Sequence, residues 1–582
     1  MSKERIRFDE FELDPENFQL RDSGGAVKLE RIPLELLILL AGKAGRLLTR
    51  EEILKSIWGE GTFLDTDNAI NTAIRKIRRA LHDGADRSRY IETVAGKGYR
   101  FIAVPQVEGV PKDDAEIPGA GRIMLAVLPL ENLNQDPEQE YFSEGLTEDI
   151  ITQLGGLSPH RLGVIARTSV MKYQHTRESI REIGSRLRVG YVLEGTVRRF
   201  ADRVRVTAQL IRVSDETHLW AESYERQLSD ILQLQAELAR EVASQIRVRL
   251  VPRGNAPKAE MRPVNPEAYE AYLKGRHFWN RKTEKGLLRS LGFFSQCIEL
   301  EPEYAIAHAG MADAYILLGI HGFRPASEVY PRAESLAKRA LELDESLAEA
   351  HTALADVRKG YHCDFPAAEA GYKRAIDLNH SYAVAYQWYS DLLFKMGRHA
   401  EAIQAIERAR EIDPLSLAIN AFVAFTYYRA RRPEEAVREG IQAVDLDPNL
   451  PLGHWFLGLA YEGAGLLETA VLEMQKAVDL SGRSPLYVAA LGHACGLAGD
   501  RLRAQSMLDE LMRSSLRRYV SSLDVAIVYA GMGENDSAFV WLEKACQERV
   551  MRVQELPQPT FDGLRSDPRF GHLMRRVGLR LP

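Results

Sequence analysis

The chain has 582 residues, 45% hydrophobic and 27% charged, an ordinary globular composition with length for about three to five domains or a repeat array. Its formal net charge of −6 gives the chain as a whole no cationic excess for nucleic acid. Cys297, Cys363, Cys495 and Cys546 are widely separated and never form a CxxC pair, which argues against a disulfide framework or a zinc ribbon and fits a reducing compartment.

The amino terminus, MSKERIRFDEFELD, is charged from its start and lacks an apolar stretch of the secretory kind. Leu34 to Ala41 contains Glu35 and is far shorter than the ~20 residues that span a bilayer. The expectation is a cytoplasmic chain with no membrane contact. Pro, Gly and charge crowd residues 105–121 and 251–266, marking linkers. The expected organisation is a first domain over 1–105, a linker at 106–121 and a middle domain over 122–250. A linker at 251–265, a repeat array over 266–548 and a short terminal cap at 549–582 follow.

Alternating runs at Ile6–Phe8, Phe11–Leu13, Phe18–Leu20 and Val27–Leu29 predict a small antiparallel sheet. Pro33 then opens a first helix, and Thr49-Arg50-Glu51-Glu52 is a capping box for a second. A third helix is predicted over about Asp67–His82, followed by RYIETVA and YRFIAV joined through Gly96-Lys97-Gly98. This order makes a winged helix-turn-helix. On the third helix Ile70, Ile74, Ile77 and Leu81 share one stripe and must face the core. Opposite lie Asn68, Thr72, Arg75, Lys76 and Arg79, flanked by Asn71 and Arg78. Amides and hydroxyls can read base edges, and long cations reach bases or phosphates. Residues 68–100 hold eight basic and three acidic side chains, against ten and fourteen in residues 1–67. The positive charge is therefore concentrated on the last helix and wing.

NAINTAIRKIRRAL followed by RYIETVAGKGYRF resembles the OmpR-type winged-helix effector domain. The resemblance implies a recognition helix in the major groove of double-stranded DNA, with the wing on the adjacent minor groove or backbone. Carried onto this chain, the helix contacts are Thr72, Arg75, Lys76, Arg78 and Arg79, with Thr93 and Tyr99 in the wing. Ala95 stands where the family often has Arg, and Lys97 at the tip offers a phosphate contact instead. Family analogy also implies two copies as a dimer on tandem half-sites. The domain begins at residue 5, so no phosphoacceptor receiver is expected ahead of it, and the layout resembles CadC-type one-component regulators without their membrane span.

Residues 122–250 read as mixed α/β: an apolar strand from Ile123 to Leu128, a helix over Glu140–Leu154, a strand at Arg161–Ala166 and a helix near Arg177–Leu187. A three-stranded meander and a final helix over Leu228–Arg249 complete it. LAVLPLENL, YFSEGLTEDIITQL, VIARTSV and YVLEGTVRR resemble the TolB-like amino-terminal domain. Glu144, Glu148 and Asp149 cluster on one helix, but without nearby His or Cys they read as ion-pairing residues rather than catalytic ones.

The last zone is periodic. Small residues recur every 34 positions at Ala368, Ala402, Ala436, Ala470, Ala504 and Ala538. A second column holds Ala375, Ala409, Ala443, Ala477, Leu511 and Ala545. Such columns let paired helices approach closely, and no unit buries its face alone. The unit at Leu457-Gly458-x-x-Tyr461 resembles the tetratricopeptide pattern, with eight repeats and an insertion near GIHGFRPAS. The resemblance implies a superhelical α-solenoid whose groove is lined by Asp391, Phe394, Phe425, Tyr428, Trp455 and Leu459. This mainly apolar lining suits a hydrophobic peptide, such as one from RNA polymerase or another regulatory protein, or an intramolecular surface. His362-Cys363-Asp364 lacks a second half for a metal site.

The fold class is thus multidomain, α/β and all-α: winged helix-turn-helix, mixed α/β domain, tetratricopeptide solenoid. The expected function is a one-component, sequence-specific DNA-binding transcriptional regulator whose middle domain and repeats sense a ligand or protein. The alternative is an interaction scaffold with weak DNA binding. No phosphate-loop, zinc-protease or esterase signature occurs, so no enzyme activity, catalytic residue, metal or cofactor is expected.

Overall fold

The computed structural model describes the chain except residues 1–5, 9–10, 15–17, 23–24, 42–46, 59–65, 84–88, 95–96, 103–105, 108–121, 135, 137–138, 158–159, 247–263 and 580–582. It divides into two compact units, residues 1–120 and 121–582, which are described in turn.

In the first unit, β1 (Ile6–Phe8), β2 (Phe11–Asp14), β3 (Gln19–Asp22) and β4 (Gly25–Val27) precede α1 (Arg31–Ala41). Then come β5 (Leu47–Thr49), α2 (Arg50–Trp58), α3 (Thr66–Ala80), β6 (Ile91–Val94), β7 (Gly98–Phe101) and β8 (Gln106–Val107). The sheets run β4-β3-β2-β1-β8 and β5-β7-β6. The expected boundary at 105 stops short, because β8 pairs antiparallel with β1 and draws the first two linker residues into the sheet. The capping box forms: the Glu52 amide donates to Thr49 Oγ1 at 3.2 Å and the Thr49 amide to Glu52 Oε2 at 2.9 Å. Ile70, Ile74, Ile77 and Leu81 are all buried and hold α3 against α1 and the sheets. At about 1.5–3 kcal/mol per buried side chain, this stripe dominates the placement of the helix.

The second unit begins with β9 (Ile123–Val127), β10 (Glu131–Asn132), α4 (Glu140–Leu157), β11 (Leu162–Val164), α5 (Arg167–Val170) and α6 (Ile180–Leu187). It continues through β12 (Tyr191–Phe200), β13 (Arg203–Arg212), β14 (Thr217–Gln227) and α7 (Ile231–Gln245). β9 pairs in parallel with β11 and β12, and β12-β13-β14 form an antiparallel meander. Helices α4 and α7 cover this mixed sheet with Leu146, Ile150, Leu154, Leu234 and Leu238, all fully buried.

Sixteen helices among the described residues follow as eight consecutive pairs: α8 (Pro266–Trp279) with α9 (Glu284–Leu300), α10 (Ala305–Ile320) with α11 (Ala326–Leu343), and α12 (Ala348–Gly360) with α13 (Phe365–Leu378). Next come α14 (Ala383–Lys395) with α15 (His399–Ile412), α16 (Leu417–Arg429) with α17 (Pro433–Leu446), and α18 (Pro451–Gly463) with α19 (Leu467–Leu480). The last pairs are α20 (Pro485–Leu497) with α21 (Arg501–Ser514) and α22 (Ser522–Gly531) with α23 (Asn535–Gln547). Every member of both alanine columns, Leu511 included, is buried, as close helix approach requires.

The mixed sheet domain and the array pack against one another. Most of 251–265 lies outside the described residues, but the Val264 amide donates to the Ser229 carbonyl and Asn265 caps α8. Side chains of α4, the sheet, α7 and α8–α10 share one hydrophobic core. Farther along the array, the Ala166 amide donates to the Ile412 carbonyl at 3.0 Å and the Val164 amide to Ser381 Oγ at 3.1 Å.

The carboxy-terminal segment packs on the last helix pair and reaches beyond it. Two 3-10 turns, Met551–Glu555 and Pro559–Leu564, lead to α24 (Pro568–Arg576). Val553, Leu556, Phe561, Phe570 and Leu573 join one core with residues of α12–α14, α22 and α23. Several apolar side chains must be buried in this tail, and the end of one helix pair is too small to take them.

Candidate DNA interface and repeat groove

The exposed side of α3 is built by the stripe that buries its opposite side. Asn71, Arg75 and Arg79 are exposed, and Thr72, Lys76 and Arg78 are half-buried. The side chain of Asn68 lies outside the described residues. Thr93 and Lys97 are exposed on the wing. Arg78 connects the two parts, its Nη2 donating to the Ile91 carbonyl at 2.7 Å and to Thr93 Oγ1 at 2.9 Å. That guanidinium positions the wing, so its expected role as a direct contact is shared with a structural one. Lys76 pairs with Glu30 at 2.6 Å, the lysine half-buried and the glutamate exposed.

Tyr99 was expected to touch DNA from the wing, and the structure corrects this. It is 4% exposed. Its hydroxyl donates to Asn71 Oδ1 at 2.7 Å, while Arg50 donates to both groups and lies 5.5 Å from the ring centre. The trio Arg50, Asn71 and Tyr99 sets α3 against β7. Alternation along a short strand says which residues share a face but not which neighbour covers it, and here α3 and Arg50 cover Tyr99. Asn71 is tied into the same trio.

Two positioning residues escaped the sequence reading. Asp83 is buried and accepts the amides of Arg89, Tyr90 and Ile91 at 2.6, 3.2 and 2.9 Å, fixing where β6 starts. Arg50 counted only as a member of the capping box. At Gly98 the backbone passes β5 so closely that a Cβ would lie 2.0 Å from the Leu48 carbonyl oxygen, which is why the wing carries glycine there.

The six expected groove positions fare differently from an open binding surface: Asp391, Phe394, Phe425, Tyr428, Trp455 and Leu459 are all at most 9% exposed. Asp391 accepts from Lys395 Nζ and Arg429 Nη1, each at 2.7 Å, and lies 3.2 Å from Lys359 Nζ. Burial alone would raise the Asp391 carboxyl, but Lys395, Lys359 and Arg429 outweigh it and hold it well below the carboxylate range. The Arg429 guanidinium is sandwiched between Phe394 and Phe425, at 4.3 and 4.4 Å. The rest of the groove meets the chain's own tail. Tyr428 and Thr560 hydroxyls lie 3.1 Å apart, Arg552 sits 5.6 Å from the Trp455 ring, and the Gln554 amide donates to the Lys359 carbonyl at 2.7 Å. Tyr428 and Trp455 thus face the chain's own tail.

Of the three clustered carboxylates on α4, Glu144 and Glu148 are ion-paired, whereas Asp149 is held by neutral hydrogen-bond donors. Glu144 meets Arg167 at 3.0 Å and His277 at 3.2 Å, Glu148 pairs with Arg276 and Arg167, and Asp149 accepts from Tyr269 at 2.7 Å and Gln235 at 2.9 Å. These contacts bind α4 to α8, so the acidic cluster is part of a domain junction. His362 meets Glu334 at 2.9 Å.

Residues 24–101 match the family model described as transcriptional regulatory protein, C terminal. The chain carries an OmpR-type DNA-binding domain of transcriptional regulators. Residues 121–241 match the HilA/YgeH-like transcriptional regulator, second domain, and residues 383–414 a tetratricopeptide repeat. The transcriptional regulator HilA of Salmonella typhi is 25% identical over 430 residues, covering 74% of each chain. The putative adenylate cyclase 3 of Rhizobium meliloti (strain 1021) is 37% identical over 233 residues, which are 40% of this chain and 39% of that one. Among solved structures, the Klebsiella pneumoniae RstA DNA-binding domain in complex with RstA box is 33% identical. It covers 17% of this chain and 96% of that one, with a TM-score of 0.16. The middle region is thus similar to the second domain of HilA-like regulators, where sequence alone had suggested a TolB-like domain. No helix among the described residues is long and apolar enough to cross a membrane.

Proposed function

We propose that this chain acts in the cytoplasm as a one-component transcriptional regulator that recognises specific double-stranded DNA sites, and that it is not an enzyme. The carrying observation is that the winged-helix domain presents Arg75 and Arg79 outward on α3, with Thr93 and Lys97 exposed on a wing that Arg78 ties to the same helix. An isoleucine stripe fixes the helix rotation, so these cations keep a constant presentation toward a groove. Thr72 is the base-reading group, the arginines and Lys97 reach bases or phosphates, and Arg78 aligns the wing. Signal reception belongs to the second unit, where the sheet domain and repeats share one core and respond as one body to a ligand or protein. Two copies on tandem half-sites, and a contact to RNA polymerase or another regulatory protein, are parts of this reading.

The test is recovery and sequencing of genomic fragments bound by the purified full chain, followed by binding titrations on the enriched sites. Enrichment of a common motif with direct-repeat spacing is expected. Uniform recovery without a motif would favour the scaffold reading, in which the second unit recruits partners and DNA binding is weak.

A further inference from the structure

A cavity of about 510 Å³ lies inside the second unit, where distant parts of the array meet. One wall is the inserted loop between α10 and α11, with His321, Phe323 and Arg324. The facing wall is the start of α20, at Ser484, and the segment between α21 and α22, with Arg517, Arg518 and Tyr519. Met551 and Arg552 of the carboxy-terminal segment complete the lining. The two main walls come from repeats 2 and 7–8, about 200 residues apart in the chain.

The charge balance of this cavity points one way. Its two carboxylates are both taken: Glu284 by Arg324 at 2.6 Å, and Asp524 by Arg552 at 3.1 Å. Arg517 and Arg518 also line it and make no ion pair among the described residues; Arg518 donates only to the Arg483 carbonyl, at 2.6 Å. The surplus is therefore two guanidinium groups. His321 adds no charge, since burial and the nearby Lys282 push it down to about 4. Ser484, the residue preceding α20, makes no capping hydrogen bond with its side chain, leaving its hydroxyl at the cavity. Helix α11 also begins on this lining, at Ala326. Guanidinium groups, a serine hydroxyl and helix amino-terminal ends all favour an anion. The volume exceeds that of a bare oxyanion and falls within the range of small-molecule sites. Phe323 and Tyr519, both half-buried, offer flat apolar sides for an organic group.

We propose that this cavity binds a small phosphorylated molecule, with Arg517, Arg518 and Ser484 on the phosphate and Phe323 and Tyr519 beside the organic part. Occupation would bridge repeat 2 to repeats 7 and 8 and stiffen the array. The competing account is a pair of solvated arginines on an open rim, and it is separable by experiment. The site lies entirely between residues 284 and 552, and its test reads ligand binding alone, so its outcome is independent of DNA recognition.

Calorimetric titration of the full chain with adenosine 5′-monophosphate and with inorganic phosphate provides the test. Saturable binding of the nucleotide with a Kd below about 1 mM is expected, tighter than inorganic phosphate. Binding should weaken at least ~10-fold in R517A/R518A. Ser484→Asp should do the same by placing a carboxylate at the site, and because Asp is a good N-cap residue its melting temperature should not fall. R181A/R240A removes two exposed arginines of the sheet domain and should bind as the parent does. Absence of saturable nucleotide binding would overturn the proposal. So would binding of inorganic phosphate alone, equal loss in R181A/R240A, or binding unchanged in both R517A/R518A and Ser484→Asp.

Discussion

Replacing Arg75 and Arg79 together by alanine tests the interface quantitatively. Both are exposed on α3, so the variant should keep its fold. Each phosphate contact contributes about 0.9 to the slope of log K against log salt concentration. Loss of two such contacts should flatten the slope by about 1.8 and make the affinity deficit about tenfold smaller at 200 mM than at 50 mM salt. Lys76 behaves differently because Glu30 already holds it, at 2.6 Å with the lysine half-buried and the glutamate exposed. Such a pair is worth about 0–1 kcal/mol, so Glu30→Ala should free the lysine and tighten DNA binding by up to about fivefold. Fluorescence anisotropy on an enriched genomic site, at several salt concentrations, measures all three quantities. An unchanged slope in the double variant, together with no gain in Glu30→Ala, would refute the assignment of this face to DNA.

Three further outcomes follow from buried polar groups. Asp391→Asn should destabilise the second unit by about 3–5 kcal/mol in denaturant unfolding, because Lys359, Lys395 and Arg429 stay buried around a weakened partner. Since the Asp391 carboxyl is held low, its contribution is complete above about pH 4 and fades only below that; a variant deficit already shrinking at pH 6 would contradict the assignment. His493 sits between Glu462, at 3.3 Å, and the Thr560 carbonyl, at 3.2 Å. Burial lowers the imidazole, but Glu462 and that carbonyl raise it above its ordinary value. Its contribution is complete below about pH 6.5 and is lost as pH rises through the raised value, so amide protection factors around Thr560, taken relative to intrinsic exchange at each pH, should fall on the alkaline side, and His493→Gln should remove that fall. Met551→Asp should release the tail by placing a carboxylate where the sulfur meets the Tyr330 hydroxyl at 3.0 Å; unchanged proteolytic resistance of residues 551–579 would count against tight docking.

How much could be read beforehand varies with the range of the interaction. The stripe Ile70, Ile74, Ile77 and Leu81 was legible because helix periodicity repeats within four residues. The alanine columns were legible because a helix pair repeats its own packing every 34 positions. Capping at Thr49 and Glu52 is equally local. By contrast, Lys76 and Glu30 are 46 positions apart, and the Tyr99 hydroxyl reaches Asn71 across 28. No spacing announces such pairs, and Tyr99 therefore looked available to DNA when it is a core residue.

Module order, the rotation of α3 and the eight repeated helix pairs are all written locally in the chain, since each follows from short-range periodicity and capping. Only the fold shows that the sheet domain and the array share a core, that the tail enters the repeat groove, and that Arg517 and Arg518 line one cavity with the loop of repeat 2. Curvature accumulates over many repeats and brings together residues that no local pattern relates. The net charge of −6 concealed both cationic surfaces, because charge acts over a Debye length of about 8–10 Å and not over the chain.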